Sequence, residues 1–238
     1  MMRMLVSVRD GAEALRAAEA GADFIDLKEP RAGALGGLAP SQIRNIVALL
    51  RRHHRRATIS ATIGDLPVDD AHAILRQVDA VGRCGVDLVK VGVPGQGDAR
   101  ACDLLRRLGA SKWQIVPVLL ADAGVAANLL ATALAQPFPA LMLDTQGKTA
   151  GSLFDFMAVK DVAEVVRQAR IAGKLLGLAG ALREADLPKL RALQPDFAGF
   201  RSAVCDGART GVLVGEKVRA LRGALLRDRD EATVPATA

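Results

Sequence analysis

The sequence predicts a single closed (β/α)8 barrel, the TIM-barrel architecture. Short aliphatic runs alternate with longer Ala-, Leu- and Arg-rich stretches of helical periodicity, and eight such units fit within 238 residues. This alternation is typical of a parallel sheet that is covered by helices. An open doubly wound sheet is the alternative, but no glycine-rich dinucleotide fingerprint follows the first strand to support it.

The predicted strands are rich in β-branched or aliphatic residues, and the predicted helices repeat apolar residues at helical spacing. The strands are Leu5–Val8, Phe24–Lys28, Thr58–Gly64, Leu88–Val93, Gln114–Leu120, Ala140–Thr145, Leu175–Gly180 and Phe197–Ala203. The helices are Gly11–Ala20, Pro40–Arg52, Asp69–Arg83, Asp98–Leu108, Gly124–Gln136, Phe154–Ile171, Arg183–Leu193 and Gly215–Arg227. Residues 1–227 are thus predicted to form one catalytic domain. Residues 228–238 lack a periodic apolar face and are expected to fray.

The composition indicates a globular protein with small acidic partners. Hydrophobic residues make up 50% of the chain and charged residues 24%, which excludes collagen and wholesale disorder. A formal net charge of +6 favours anionic ligands such as phosphorylated substrates. Aromatic residues are only 3%, so the stacking platforms of single-strand nucleic-acid binders are scarce. We interpret the basic run Arg51–Arg56 as a solvated helix end and expect no nucleic-acid partner. Self-association into a homo-oligomer is left open.

The cysteines and apolar runs predict a cytoplasmic protein. Three cysteines without CxxC spacing argue against a disulfide framework or a structural zinc site. The amino-terminal apolar run is too short for a signal peptide. The longest apolar stretch, 115–135, is interrupted by Pro117 and Asp122, so we expect no membrane span.

Charged residues near the ends of apolar strands are the candidate catalytic groups, because barrel enzymes place their chemistry at the carboxyl ends of the strands. Asp26 and Lys28 share one face of the second strand, about 6–7 Å apart by the strand rise, and Ile25 and Leu27 take the other face. Lys90 interrupts an otherwise apolar fourth strand, in which Val89, Val91 and Val93 are expected to face the helices. Asp144 closes the sixth strand, and Lys148 follows it in the loop.

These residues have two interpretations, a structural one and a catalytic one. An Asp/Lys ion-pair network could simply stabilise the barrel. However, only eight of the 32 basic residues are lysines, and arginine is the better partner for a structural ion pair. A lysine in a cationic, partly desolvated pocket can attack a carbonyl to form a Schiff base, while an adjacent carboxylate moves protons. We therefore predict an aldolase-like lyase for small phosphorylated aldehydes or ketones.

The last two strands predict an anion site. The ends of both strands and their loops are rich in glycine and other small residues, at 177–182 and 199–204, as in barrels whose last loops hold phosphate through backbone N–H groups. Tight helix–strand packing is the alternative reason for such glycines. The expected substrate or phosphate contacts are Ser7, Asp26, Gly177, Gly180, Arg201, Ser202 and Ala203.

Six short motifs together resemble one known family. They are Ile25-Asp26-Leu27-Lys28-Glu29-Pro30, Gly33-Ala34-Leu35-Gly36, Val89-Lys90-Val91-Gly92, Leu143-Asp144-Thr145 with Lys148, Gly177-Leu178-Ala179-Gly180 and Arg201-Ser202-Ala203-Val204-Cys205. In combination they resemble the (5-formylfuran-3-yl)methyl phosphate synthase family of methanofuran biosynthesis, from about residue 4 to residue 217.

The resemblance implies a specific reaction. Members of the family condense two molecules of glyceraldehyde 3-phosphate into a phosphorylated furan aldehyde, with loss of phosphate and water. By correspondence, Lys28 forms the Schiff base, Lys90 accepts a proton, and Asp144 and Lys148 form the acid–base pair. No metal or redox cofactor is implied. Another Schiff-base aldolase or an isomerase acting on triose phosphates is the alternative, and the reaction product would distinguish them.

Overall fold

Eight parallel strands close into a barrel in the computed structural model, which describes residues 2–147 and 151–226. Neighbours in sequence are neighbours in the barrel, and β8 pairs with β1. The strands are β1 Arg3–Val8, β2 Phe24–Leu27, β3 Thr58–Thr62, β4 Leu88–Pro94, β5 Ile115–Leu120, β6 Ala140–Asp144, β7 Leu175–Leu178 and β8 Phe197–Phe200. The predicted (β/α)8 barrel is confirmed. Lys148 and the predicted tail 228–238 lie outside the described residues.

Helices follow the strands around the outside of the barrel. Within the described ranges they are α1 Gly11–Glu19, α2 Pro40–His53, α3 Ala71–Gly82, α4 Ala99–Gly109, α5 Ala127–Leu134, α6 Leu153–Phe156, α7 Val159–Ile171, α8 Leu187–Leu193 and α9 Gly215–Leu226. Three of them begin at an aspartate whose carboxylate accepts a backbone N–H of the first turn. These caps are Asp10, Asp70 and Asp98.

The prediction of one continuous helix over Phe154–Ile171 is wrong, because the chain forms α6 and α7 with a break between them. Met157 has an extended backbone, with φ −120° and ψ 132°, and Ala158 is extended as well. The break turns the Met157 side chain into the core, where it is 6% exposed. Burial of a large apolar side chain here outweighs the continuity of the helix.

Several other element boundaries also differ from the prediction. The eighth strand ends at Phe200 and not at Ala203, because Ser202–Val204 forms a 3-10 turn. The seventh strand likewise ends at Leu178, before Gly180. The last residues of these two predicted strands therefore lie in the loops that border the mouth of the barrel.

The strands separate two apolar regions. Ile25 and Leu27 of β2, with Val89 and Val91 of β4, face the helices and belong to the main core. This confirms the predicted sidedness of both strands. A second cluster lies inside the barrel and reaches from the amino ends of the strands to the segments that follow β2 and β7. It consists of Leu5, Phe24, Leu35, Val116, Val118, Ala140, Met142, Ala179 and Phe197. Polar side chains inside the barrel therefore adjoin an apolar cluster.

The three cysteines are Cys84, Cys102 and Cys205, and all are buried free thiols. Burial raises the pKa of the Cys205 thiol.

Among the described residues, the helices are too short or too polar to traverse a bilayer.

Candidate active site

A layer of polar side chains crosses the interior of the first half of the barrel. The strand register places Ser7 of β1 beside Asp26 of β2, and Asp26 beside Ser60 of β3. Lys90 of β4 is paired with Thr62 of β3, which lies two residues beyond Ser60 toward the carboxyl end of the strand. Because alternate residues of a strand face the same side, the register brings polar groups from four successive strands together.

Asp26 lies at the centre of this layer and has no exposed surface. Its Oδ1 accepts a hydrogen bond from Ser60 Oγ at 2.6 Å, and its Oδ2 accepts from Ser7 Oγ at 3.1 Å. Lys90 Nζ donates to Oδ2 at 3.0 Å, and the Lys90 side chain is only 2% exposed. A buried charge is tolerated when it is paired and hydrogen-bonded, and Asp26 meets both conditions.

The charge on Asp26 is set by its neighbours. Burial acts to raise the pKa of this carboxyl, but the ammonium groups of Lys90 and Lys28 and the Ser60 hydroxyl outweigh burial and lower it. Asp26 therefore remains ionised at neutral pH. It can orient Lys90 and neutralise charge inside the barrel, but as a carboxylate it has no proton to donate.

Lys28 follows the last residue of β2 and lies in the mouth of the barrel. Its backbone N–H continues the strand pairing by donating to Val8 O at 2.9 Å. Its Nζ donates to Ala34 O at 3.2 Å, and the side chain is 7% exposed. Lys28 and Lys90 line the same cleft. The amine predicted to be the nucleophile is thus shielded from bulk water and close to the second lysine.

The loop between β2 and α2 supports Lys28 through several hydrogen bonds. Gly36 O accepts from Glu29 N at 2.8 Å and from Thr62 Oγ1 at 3.0 Å. Gly33 has φ +112°, and a Cβ at this residue would lie 1.9 Å from Asp65 Oδ2. The positive φ and this close approach both require glycine. Gly33 thus lets a carboxylate of the protein itself approach the backbone of the loop.

Asp144 ends β6 on the same cleft and is 1% exposed. Its Oδ1 accepts from Thr145 N at 2.7 Å. The backbone of the next loop residues is held by Asp122, which follows β5. Its carboxylate accepts hydrogen bonds from Gln146 N and Gly147 N at 2.8–3.0 Å. The predicted partner of Asp144, Lys148, lies outside the described residues, so their pairing stays a prediction.

Arg201 follows β8 and is buried, but the protein already uses its guanidinium. Glu13, a buried residue of α1, accepts from Nη1 at 2.5 Å and from Nη2 at 3.1 Å. The remaining acceptors are backbone carbonyls, those of Ser7, Arg209 and Gly211. All five N–H donors of the side chain thus have acceptors. A phosphate contact from this side chain would require one of these bonds to break.

The other predicted phosphate contacts do not all reach the cleft. Gly180, with φ +100°, and Ser202 line it. Gly177 lies deeper in the barrel, where a Cβ would be 2.0 Å from Phe197 Cε2. Ala203 packs against the main core. The structure therefore brings Ser7, Lys28, Lys90, Asp144, Gly180, Arg201 and Ser202 to one cleft, with Asp26 beneath it.

Gly177→Ala is expected to lower the free energy of unfolding by about 1–3 kcal/mol, because the added methyl overlaps the Phe197 ring. That ring cannot easily move, since it packs at 5.3 Å between centroids against Phe24. Urea unfolding measures the change. Gly223→Ala in α9 is the control: no atom of residues 2–147 or 151–226 lies within 4 Å of its added methyl, and alanine favours a helix. A Gly177→Ala protein as stable as wild type would exclude the packing role.

Three residues of the site escaped the sequence prediction. Ser60 and Thr62 alternate with Ile59 and Ala61 in β3, so the polar-residue signal that identified Asp26 and Lys90 was present there too. Arg209 lies in the connection from β8 to α9 and lines the cleft. It carried no such signal, because that connection has no regular periodicity.

The fold is shared with other barrel proteins. Phosphoribosyl anthranilate isomerase from Thermus thermophilus aligns with a TM-score of 0.61 over 94% of this chain and 98% of that chain, at 18% identity. A structure described as native KDPGal aligns with a TM-score of 0.58 over 93% and 95%, also at 18% identity. At this identity the likeness shows the fold alone.

A barrel with buried lysines and aspartates in the cleft at its carboxyl end has the architecture of a barrel enzyme. The 4-HFC-P synthase family matches residues 4–222, and the chain belongs to this family of enzymes. A relative in Methylorubrum extorquens is 38% identical over 92% of each chain. The (5-formylfuran-3-yl)methyl phosphate synthase of Archaeoglobus fulgidus is 35% identical over 91% of this chain and 96% of its own. The family resemblance is confirmed.

Proposed function

We propose that this protein condenses two molecules of glyceraldehyde 3-phosphate into (5-formylfuran-3-yl)methyl phosphate, with release of phosphate and water, as a step of methanofuran-type cofactor biosynthesis. Family membership supports the product. The observation that carries the proposal is the shared cleft of Lys28, Lys90 and Asp144 above the buried Asp26 carboxylate. It joins a shielded amine to groups that can move protons.

Lys28 begins the reaction. Its Nζ attacks the carbonyl carbon of one triose, and loss of water gives an iminium ion. The iminium withdraws electrons from the neighbouring carbon, so a base can remove the α-proton and phosphate can leave from the next carbon. Ala34 O, which accepts from Nζ at 3.2 Å, fixes the amine at the cleft wall.

The later steps are aldol addition to the second triose, ring closure and loss of water. Each moves protons, for which the cleft offers Lys90 and Asp144. Lys148 is assigned with Asp144 by the family correspondence. Asp26 acts as a positioning residue, since it holds Lys90 Nζ at 3.0 Å and stays ionised. This scheme does not require the predicted direct contact between Asp26 and the substrate.

Incubating the purified protein with glyceraldehyde 3-phosphate tests the proposal. We expect a product with the mass of the furan phosphate, near-ultraviolet absorption and release of inorganic phosphate. An acyclic sugar phosphate would instead identify another aldolase or an isomerase. Unchanged substrate, with folded protein verified by circular dichroism, would contradict both functions.

A further inference from the structure

Arg209 is a cation of the cleft that neither the predicted mechanism nor the family correspondence uses. It lies in the connection between β8 and α9, and its partly buried side chain lines the cleft together with Lys28, Lys90 and Asp144. Its Nη2 donates to Pro30 O and Gly33 O in the loop after β2. Arg209 therefore spans the cleft from the last strand to the loop that carries Lys28.

The remaining donors of Arg209 are unused by the part of the chain that the structure describes. Within residues 2–147 and 151–226, Nε and Nη1 have no acceptor, and no carboxylate lies within ion-pair distance of the guanidinium. Arg201, by contrast, is paired with Glu13 and has an acceptor for every N–H group. The two arginines thus differ in what they can offer to a ligand.

The electrostatics of Arg209 also favour an anionic ligand. Burial lowers the pKa of its guanidinium, although the more distant Asp144 and Asp65 act to raise it. A half-buried cation without a close counter-ion is unfavourable. A phosphate dianion, which accepts charge-assisted N–H bonds from a guanidinium, would provide that counter-ion through Nε or Nη1.

We propose that Arg209 forms an anion subsite that binds the phosphate group of one of the two triose substrates, between the β8 connection and the loop after β2. The geometry leaves the Gly180 and Ser202 side of the cleft for the other phosphate. Two phosphorylated trioses in one cleft require two such subsites. The identity of the ligand rests on the proposed function, whereas the anion site itself does not.

Inorganic phosphate is the probe for the subsite. In uniformly ¹⁵N-labelled protein, the Arg209 Nε–H resonance is assigned by its absence from Arg209→Gln. We expect this resonance to shift saturably as phosphate is added. We also expect Arg209→Gln to raise the KM for glyceraldehyde 3-phosphate at least tenfold, and Arg209→Lys, which keeps the charge but not the planar guanidinium donors, to raise it less.

Two control variants separate anion binding from structural effects. Arg219→Gln removes an exposed arginine of α9 that pairs with Glu216, and should leave KM within twofold of wild type. Asp65→Asn weakens the anchor of the same β2 loop, because Asp65 accepts from Leu35 N. If Asp65→Asn matched the KM increase of Arg209→Gln, Arg209 would act through the loop and the subsite would be refuted.

The outcomes also distinguish this subsite from the proposed function. An Arg209 resonance that does not respond to phosphate overturns the subsite, whether or not the enzyme makes the furan. A saturable response in a protein that makes no furan product supports the subsite and contradicts the proposed function.

Discussion

Lys28→Arg is expected to lower the rate of product formation about 10³-fold or more, because a guanidinium keeps the positive charge but cannot form an imine at neutral pH. The matched control is Lys160→Arg, the same exchange at an exposed position of α7, and it should have wild-type activity. The measurement is furan phosphate formed per enzyme, with folding of each variant verified by thermal unfolding.

Trapping the covalent intermediate makes this prediction specific to Lys28. Borohydride added together with triose phosphate should reduce the iminium and leave the adduct on the peptide that contains Lys28. No adduct should form in Lys28→Arg. An adduct on Lys90 in the wild-type protein, or substantial turnover by Lys28→Arg, would remove Lys28 from the role of nucleophile.

Asp26→Asn is expected to lower the free energy of unfolding by about 3–5 kcal/mol, because it leaves the buried ammonium of Lys90 without its carboxylate. Urea unfolding at pH 7 measures this loss. Adding Lys90→Met to Asp26→Asn should recover part of it, since the unpaired charge is then absent. The control is Asp79→Asn, which removes a surface carboxylate with several partners and should have a much smaller effect.

The same substitution should change the acid dependence of stability. The pKa of Asp26 is lower in the folded protein, so its contribution to stability is complete above the ordinary aspartate pKa of about 3.9. That contribution is lost as pH falls through the lower folded pKa. Stability measured from pH 5 downwards should therefore fall less steeply in Asp26→Asn than in wild type. Parallel curves would show that Asp26 is not the group responsible.

The fold and the main lysines were predictable because both depend on local patterns. Apolar runs of strand length, each interrupted by one charged residue, identified β2 and β4 and the side each residue faces. The break between α6 and α7 was not predictable in this way, because the surrounding residues continue a helical pattern without a glycine or proline at Met157. Only packing against the core favours the bend.

The roles of Arg201 and Arg209 could not be predicted, because they depend on contacts with residues that are distant in sequence. Arg201 follows a strand, as a phosphate ligand would, but it is paired with Glu13, 188 residues away. Arg209 lies in an irregular connection and reaches the loop after β2, 176 residues away at Gly33. Which arginine retains donors for a ligand is decided by barrel closure, and no local pattern encodes this.

The contacts of Asp26 also limit how this scaffold can diversify. One carboxylate connects β1, β2, β3 and β4 through their inward side chains, so an exchange there alters folding and chemistry together. The loops after β7 and β8 carry Gly180, Ser202 and Arg209, which line the cleft and make no hydrogen bond to that carboxylate. An engineer seeking a new substrate should therefore vary those loops and keep the interior of the first four strands unchanged.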